Sequence, residues 1–276
     1  MRRSKRLDIT PFLMAVSSNS FASNDNGEGI WTDSDNQTIK NDNKIDYYTL
    51  RNKINDSNTI ITHQRISTSG HVLEFNQPFQ NQDFVFVHNG VINKFLKAKG
   101  SDSWGFWLSF NETFKKKKML RDFAIIETIK ELLNDESGSF SIFIHDKVQG
   151  RSYYFKNSST DIHFYRHLGI LYITTNSANE RFLTLLGDGK TKELEIKDYK
   201  IYGISDTEES DYLKIDILDE IKEKVSPFKS WSLNDEEVCE NCFEQINGPK
   251  YTNRDGTFCL ECYSDKTKSG GKEDGD

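Results

Sequence analysis

The chain has 276 residues, of which 35% are hydrophobic, 12% aromatic and 29% charged, with a net charge of −7 at pH 7. That length holds one full-sized domain and a small one, and the aromatic residues can build a core within an otherwise polar composition. The acidic balance gives no global basic field for nucleic acid, and no apolar run approaches the ~20 residues that a membrane span needs.

Residues 1–9 are basic and short, and read as a flexible lead or a removable propeptide. The apolar segment behind them is too short for a signal peptide and lacks a small-residue cleavage site, so a cytoplasmic protein is expected. Residues 12–16, Phe-Leu-Met-Ala-Val, form a continuous apolar run and predict a buried strand. Residues 17–29 read as a loop containing Asn26-Gly27-Glu28-Gly29, and residues 33–44 as an exposed loop. A short helix is predicted over 47–54. A β-branched strand over 59–62 then delivers His63 and Arg65 to its end.

Residues 84–92, FVFVHNGVI, predict a buried strand that stops in a turn at His88-Asn89-Gly90. Such an end places an amide side chain and a backbone N–H together, as an oxyanion hole requires; a plain hairpin turn is the alternative. Lys115 to Lys118 read as a solvated loop rather than a nucleic-acid contact. Apolar residues at Leu120, Phe123, Ala124, Ile126, Ile129, Leu132 and Leu133 predict an amphipathic helix over 119–133. Strands are predicted over 139–144, 153–156, 162–166 and 168–174, then a helix start at Thr174 to Glu180 and a β-ribbon over 194–204. Residues 206–211 are an acidic linker, 212–225 a possible helix and 265–276 a disordered tail.

All four cysteines lie near the C-terminus, as Cys239-x-x-Cys242 and, after sixteen intervening residues, Cys259-x-x-Cys262. In a chain without an export signal this spacing reads as a structural tetrathiolate zinc site, two disulfides being the alternative. Four thiolates leave zinc no open position, so the module suits docking a protein partner better than catalysis.

Three ordered segments carry a further signal: Thr62-His63-Gln64-Arg65-Ile66-Ser67-Thr68-Ser69-Gly70, then Val87-His88-Asn89-Gly90-Val91-Ile92, then Ser101-Asp102-Ser103. Together they resemble the glutaminase domain of class II glutamine amidotransferases, which are N-terminal-nucleophile (Ntn) hydrolases. The resemblance implies an α+β fold with a four-layer αββα sandwich, which the small zinc-binding module read from the cysteine spacing follows. With the segments read above, the expected organisation is an extension at 1–9, an amidotransferase-like domain at 10–205, a linker with a possible helix at 206–236, the zinc module at 237–264 and the tail at 265–276. The resemblance implies glutamine or a related small molecule as ligand. Arg65 would take the α-carboxylate, Asp102 the α-ammonium with Thr68 adding a hydroxyl, and Asn89 with Gly90 would form the oxyanion hole. His63 and His88 read as supporting residues, and His71, His145, His163 and His167 carry no spacing signal.

The family's catalytic group is an N-terminal Cys, and here no cysteine precedes position 239. Thr10 could replace it only after cleavage behind Ile9, and Pro11 would restrict it. The expectation is therefore a glutaminase fold that has lost its nucleophile. An active glutaminase using Thr10, or a partner-binding protein built on the fold, are the alternatives.

Overall fold

The structure is a computed structural model. It describes residues 8–21, 27–65, 72–96, 98, 101–134, 136, 138–158, 160, 162–167, 169–175, 191–205, 213–221, 250–253 and 256–259. The chain divides into two compact units, Met1–Lys224 and Val225–Asp276.

The first unit is organised by a six-stranded sheet made of β4 (Phe79–Gln80), β5 (Phe84–Ile92), β6 (Gly138–Asp146), β7 (Arg151–Lys156), β11 (Lys200–Ser205) and β12 (Lys214–Glu220), in the order β12-β11-β7-β6-β5-β4. Successive side chains of a strand face opposite ways, and here both faces are apolar. Phe84 and Phe86 of β5, Phe140, Ile142 and Ile144 of β6, and Tyr153 and Phe155 of β7 join Phe106, Phe110, Ile125 and Ile129. These last four belong to the helices α3 (Asp102–Lys116) and α4 (Arg121–Leu133), which therefore cover this face.

The opposite face packs against two three-stranded sheets. One has the order β2-β1-β3, from β1 (Glu28–Thr32), β2 (Gln37–Asn41) and β3 (Ile60–Gln64). The other has the order β10-β8-β9, from β8 (His163–His167), β9 (Ile170–Thr174) and β10 (Lys192–Leu194). Val85 meets Trp31 and Ile61 across the first contact, and Tyr154, Tyr202 and Ile204 meet Phe164 across the second. On the far side of the small sheets lies α1 (Thr10–Phe21). Its Leu13 packs with Ile30 of β1 and Ile54 of α2 (Arg51–Asp56), and its Phe12 and Val16 pack with Tyr165 and Tyr172. The layers thus run helices, sheet, paired small sheets, helix.

An ion pair closes the helix side. Arg121 at the start of α4 grips the fully buried Asp146 at the end of β6 with two hydrogen bonds, Nε to Oδ2 at 2.6 Å and Nη2 to Oδ1 at 2.9 Å. Its guanidinium also lies 4.8 Å from the Phe84 ring centre. In the second unit the described part is an antiparallel hairpin of β13 (Lys250–Asn253) and β14 (Gly256–Cys259), pairing Lys250 with Cys259.

Several sequence expectations need correction. Residues 12–16 lie within α1 and are not a strand; the segment is apolar on every side because it packs on two clusters at once. The exposed loop expected over 33–44 contains β2, a polar strand that pairs with β1. Within the possible helix over 212–225 the structure has the strand β12 at Lys214–Glu220, so the large sheet extends past the boundary expected at residue 205. The ribbon expected over 194–204 is two strands in different sheets, β10 beside β8 and β11 beside β7. The run Lys115 to Lys118 is a loop only in its second half, since α3 continues to Lys116. The helix start expected at Thr174 to Glu180 lies almost wholly outside the described residues, as do the linker at 206–211 and the tail.

Candidate functional site

The strand β5 does not stop at His88-Asn89-Gly90, as the Asn-Gly signal suggests; it runs on to Ile92 and stays paired with β6 throughout. Gly90 makes this possible. Its φ is +105°, and a Cβ there would overlap the Ser139 carbonyl of β6, so only glycine fits. The neighbouring strand β4 pairs only with Val85 and Phe86, so among the described residues the far end of β5 has one edge uncovered by a strand.

Side chains take over that edge. Gln77 Oε1 accepts the His88 N–H at 2.6 Å, and Gln77 Nε2 donates to the His88 carbonyl at 3.2 Å. Asp102 Oδ2 accepts the Ile92 N–H at 2.8 Å. In a ladder, alternate residues turn their main-chain groups to the same edge, so Gly90 lies between these two contacts. Asn89 and Gly90 are both exposed. Asp102 stands in the first turn of α3, where the helix dipole favours an anion. The N-cap is Ser101, whose hydroxyl accepts the Trp104 N–H at 3.1 Å.

The His88 ring is buried and its Nδ1 lies 2.8 Å from Ser103 Oγ, which also accepts from Gln77 Nε2 at 3.2 Å. Burial pushes the His88 pKa down to about 4 against the opposing pull of the Asp102 carboxylate. From β3, His63 approaches the His88 backbone. Burial first, then the nearby His88, hold the His63 pKa down at about 3, with Arg65 and Lys40 adding to the depression. Both imidazoles are neutral at pH 7.

Arg65 follows β3 and extends its pairing, its N–H donating to the Gly27 carbonyl at 2.9 Å. Its side chain is buried, and Nη1 reaches the Val72 carbonyl at 3.3 Å and, at a longer 3.4 Å, Asn76 Oδ1. The glycines of Asn26-Gly27-Glu28-Gly29 are explained here. A Cβ at Gly27 would overlap the Asn76 side chain, and one at Gly29 the Gln77 carbonyl. Glu28 between them, the first residue of β1, is fully buried, accepting from Ile45 N (2.7 Å), Tyr47 OH (2.6 Å) and Gln64 Nε2 (2.8 Å).

Thus Arg65, Asn89, Gly90 and Asp102 collect at one end of the sandwich, linked by Asn76, Gln77, His63 and His88. Thr68 lies outside the described residues, as do Cys239, Cys242 and Cys262; Cys259 closes β14. Thr10 does not precede a strand. It is the first residue of α1, wholly buried, and its backbone N–H donates to Asp8 Oδ1 at 3.1 Å. It therefore belongs to the outer helical layer, whereas Asn89 and Gly90 belong to the large sheet. Asn76, Gln77 and Ser103 escaped the sequence reading, although Ser103 stands inside the Ser-Asp-Ser segment. Among the described residues no three His, Cys, Asp or Glu side chains gather as a metal site would need, and no helix is long and apolar enough to cross a membrane.

The fold is mixed α/β and resembles that of an amidotransferase of known structure. In particular, it resembles the glutamine phosphoribosylpyrophosphate (PRPP) amidotransferase from B. subtilis complexed with ADP and GMP, with a TM-score of 0.50 and 15% identity over 75% of this chain and 46% of that one. It also resembles a structure described as the allosteric regulatory enzyme of purine biosynthesis, with a TM-score of 0.53 and 16% identity over 76% of this chain and 47% of that one. The chain spans about half the length of each, and at these identities the likeness is one of fold. No family model matches the chain, and no curated protein matches its sequence.

Proposed function

We propose that the first unit is a glutaminase-type domain that binds glutamine or a related α-amino acid and lacks a working N-terminal nucleophile. The observation that carries the reading is that Gln77 and Asp102 hold the edge of β5 on either side of Gly90, while Arg65 contacts Asn76, the chain neighbour of Gln77. Arg65 would take the ligand's α-carboxylate in a bidentate grip, and Asp102 its α-ammonium, with Thr68 adding a hydroxyl. The Asn89 side chain and the Gly90 N–H would receive the side-chain carbonyl oxygen. The two donors suit the negative charge of a tetrahedral intermediate, but attack needs a nucleophile. Burial of Thr10 in α1, with its amide committed to Asp8, supports the loss of that step. Residues 1–9 then remain attached in the mature chain.

The second unit, on this reading, holds one structural zinc through Cys239, Cys242, Cys259 and Cys262 and docks a protein partner. The paired spacing supports it, as does a hairpin that closes on Cys259.

Titration calorimetry with L-glutamine and L-glutamate tests the ligand. Millimolar or tighter binding that Arg65→Ala abolishes is expected; absence of both from the wild type would discard the pocket. Intact mass and ammonia release test the nucleophile. A chain beginning at Thr10 that releases ammonia from glutamine, and loses this in Thr10→Ala, would make the protein an enzyme.

A further inference from the structure

Two adjacent residues, Asn76 and Gln77, divide the candidate site between them. Asn76 Oδ1 meets Arg65 Nη1, and Asn76 Nδ2 donates to the Asn41 carbonyl at 3.2 Å, so this residue braces the guanidinium from the small sheet. Gln77 makes no contact of that kind. Its amide oxygen and nitrogen pair with the N–H and carbonyl of one residue, His88, as the main chain of a neighbouring strand would. The backbone N–H of His88 can only donate, which fixes which end of the amide is which. The second amide hydrogen goes to Ser103 Oγ, which holds the His88 ring. Gln77 is itself buried, and its backbone is admitted only because position 29 is glycine.

We propose that Gln77 is the positioning residue for the amide end of the ligand, completing β5 beyond the end of β4 so that Asn89 and Gly90 are held as a pair of donors. The proposal rests on the glutamine reading above and adds a division of labour to it. Arg65, braced by Asn76, serves the amino-acid end that every α-amino acid shares. Gln77 serves the end that only a carbonyl-bearing side chain uses. Removing the Gln77 amide leaves the His88 N–H and carbonyl without their partner, and the strand end that carries Asn89 and Gly90 loses its fixed edge.

The test compares L-glutamine with L-norvaline, which keeps the α-ammonium and α-carboxylate but has no side-chain carbonyl. Calorimetry on the full chain should show the wild type preferring glutamine by about tenfold or more, as two added hydrogen bonds allow. Gln77→Ala should erase that preference while norvaline affinity stays within about twofold. Asn76→Ala should weaken both ligands alike and keep the preference. Gln77→Glu preserves the size of the side chain and the acceptor for His88 N–H but cannot donate when ionised, so it should also erase the preference; it serves if Gln77→Ala fails to fold. Equal loss of both ligands in the Gln77 variants, or a preference left intact, overturns the positioning role. Wild-type protein that binds neither ligand overturns the glutamine reading itself, and the proposal with it.

Discussion

Acidification from pH 7 to pH 5 should weaken the fold through His63 and His88. Their pKa values in the folded protein, about 3 and about 4, lie below the ordinary histidine value near 6.5. As pH falls, the unfolded chain takes up these protons first. The stability they contribute is therefore complete above about pH 6.5 and is lost as pH falls toward the folded values. Linkage gives a loss of about 2 kcal/mol for each ring between pH 7 and pH 5, about 4 kcal/mol together. His145, also depressed by burial, acts in the same direction. Exposed carboxylates mostly stay ionised at pH 5, so they contribute little in this window. Urea unfolding followed by the fluorescence of the core residues Trp31 and Trp107 reads the loss directly. His63→Asn and His88→Asn should each reduce the pH 7-to-5 loss by about 2 kcal/mol, whatever their stability at pH 7. A wild-type loss below about 1 kcal/mol, or the same loss in both variants as in wild type, would refute the reasoning.

Three further outcomes are expected. Arg121→Met, which keeps much of the packing on Phe84 but strands the buried Asp146 carboxylate, should cost about 3–5 kcal/mol in urea unfolding. Adding Asp146→Asn to it should recover a large part of that loss. Gly90→Ala should destabilise by roughly 2 kcal/mol or more, from the strained φ and the overlap with Ser139; a neutral result would mean that β5 and β6 can separate there. Metal analysis of the purified chain should find one zinc per molecule, and Cys259→Ser should release it; disulfides among the four cysteines would exclude the site.

Where one face of an element is buried, the sequence declared it. Helix α4 shows a single apolar stripe, and β3 a β-branched run, so both were legible within two residues or so. Helix α1 and strand β12 were not. In α1 the run Phe12 to Val16 packs toward two clusters, which erases the helical period. In β12 an irregular register beside Ile201 and Tyr202 and an exposed Ile217 break the alternation that marks a strand. The site divides in the same way. Arg65, Asn89, Gly90 and Asp102 stand in ordered segments and could be singled out. Asn76 and Gln77 act through amides in a loop, where composition gives no period and their partners include main-chain atoms of Asn41 and His88.

The small sheets have one more consequence. Neither is hydrogen-bonded to the other among the described strands, so their side of the sandwich is a seam, whereas the large sheet is continuous across it. What bridges the seam on the outside is α1, with Phe12 and Ile170 packed in both clusters at once. The helix works as a splice between two boards. Cohesion across the seam is carried there by side-chain contact rather than by a hydrogen-bonded ladder. The β1–β3 leaf, which delivers Arg65, is therefore joined to the β8–β9 leaf through side chains of α1 and through the large sheet beneath both, and not by strand pairing.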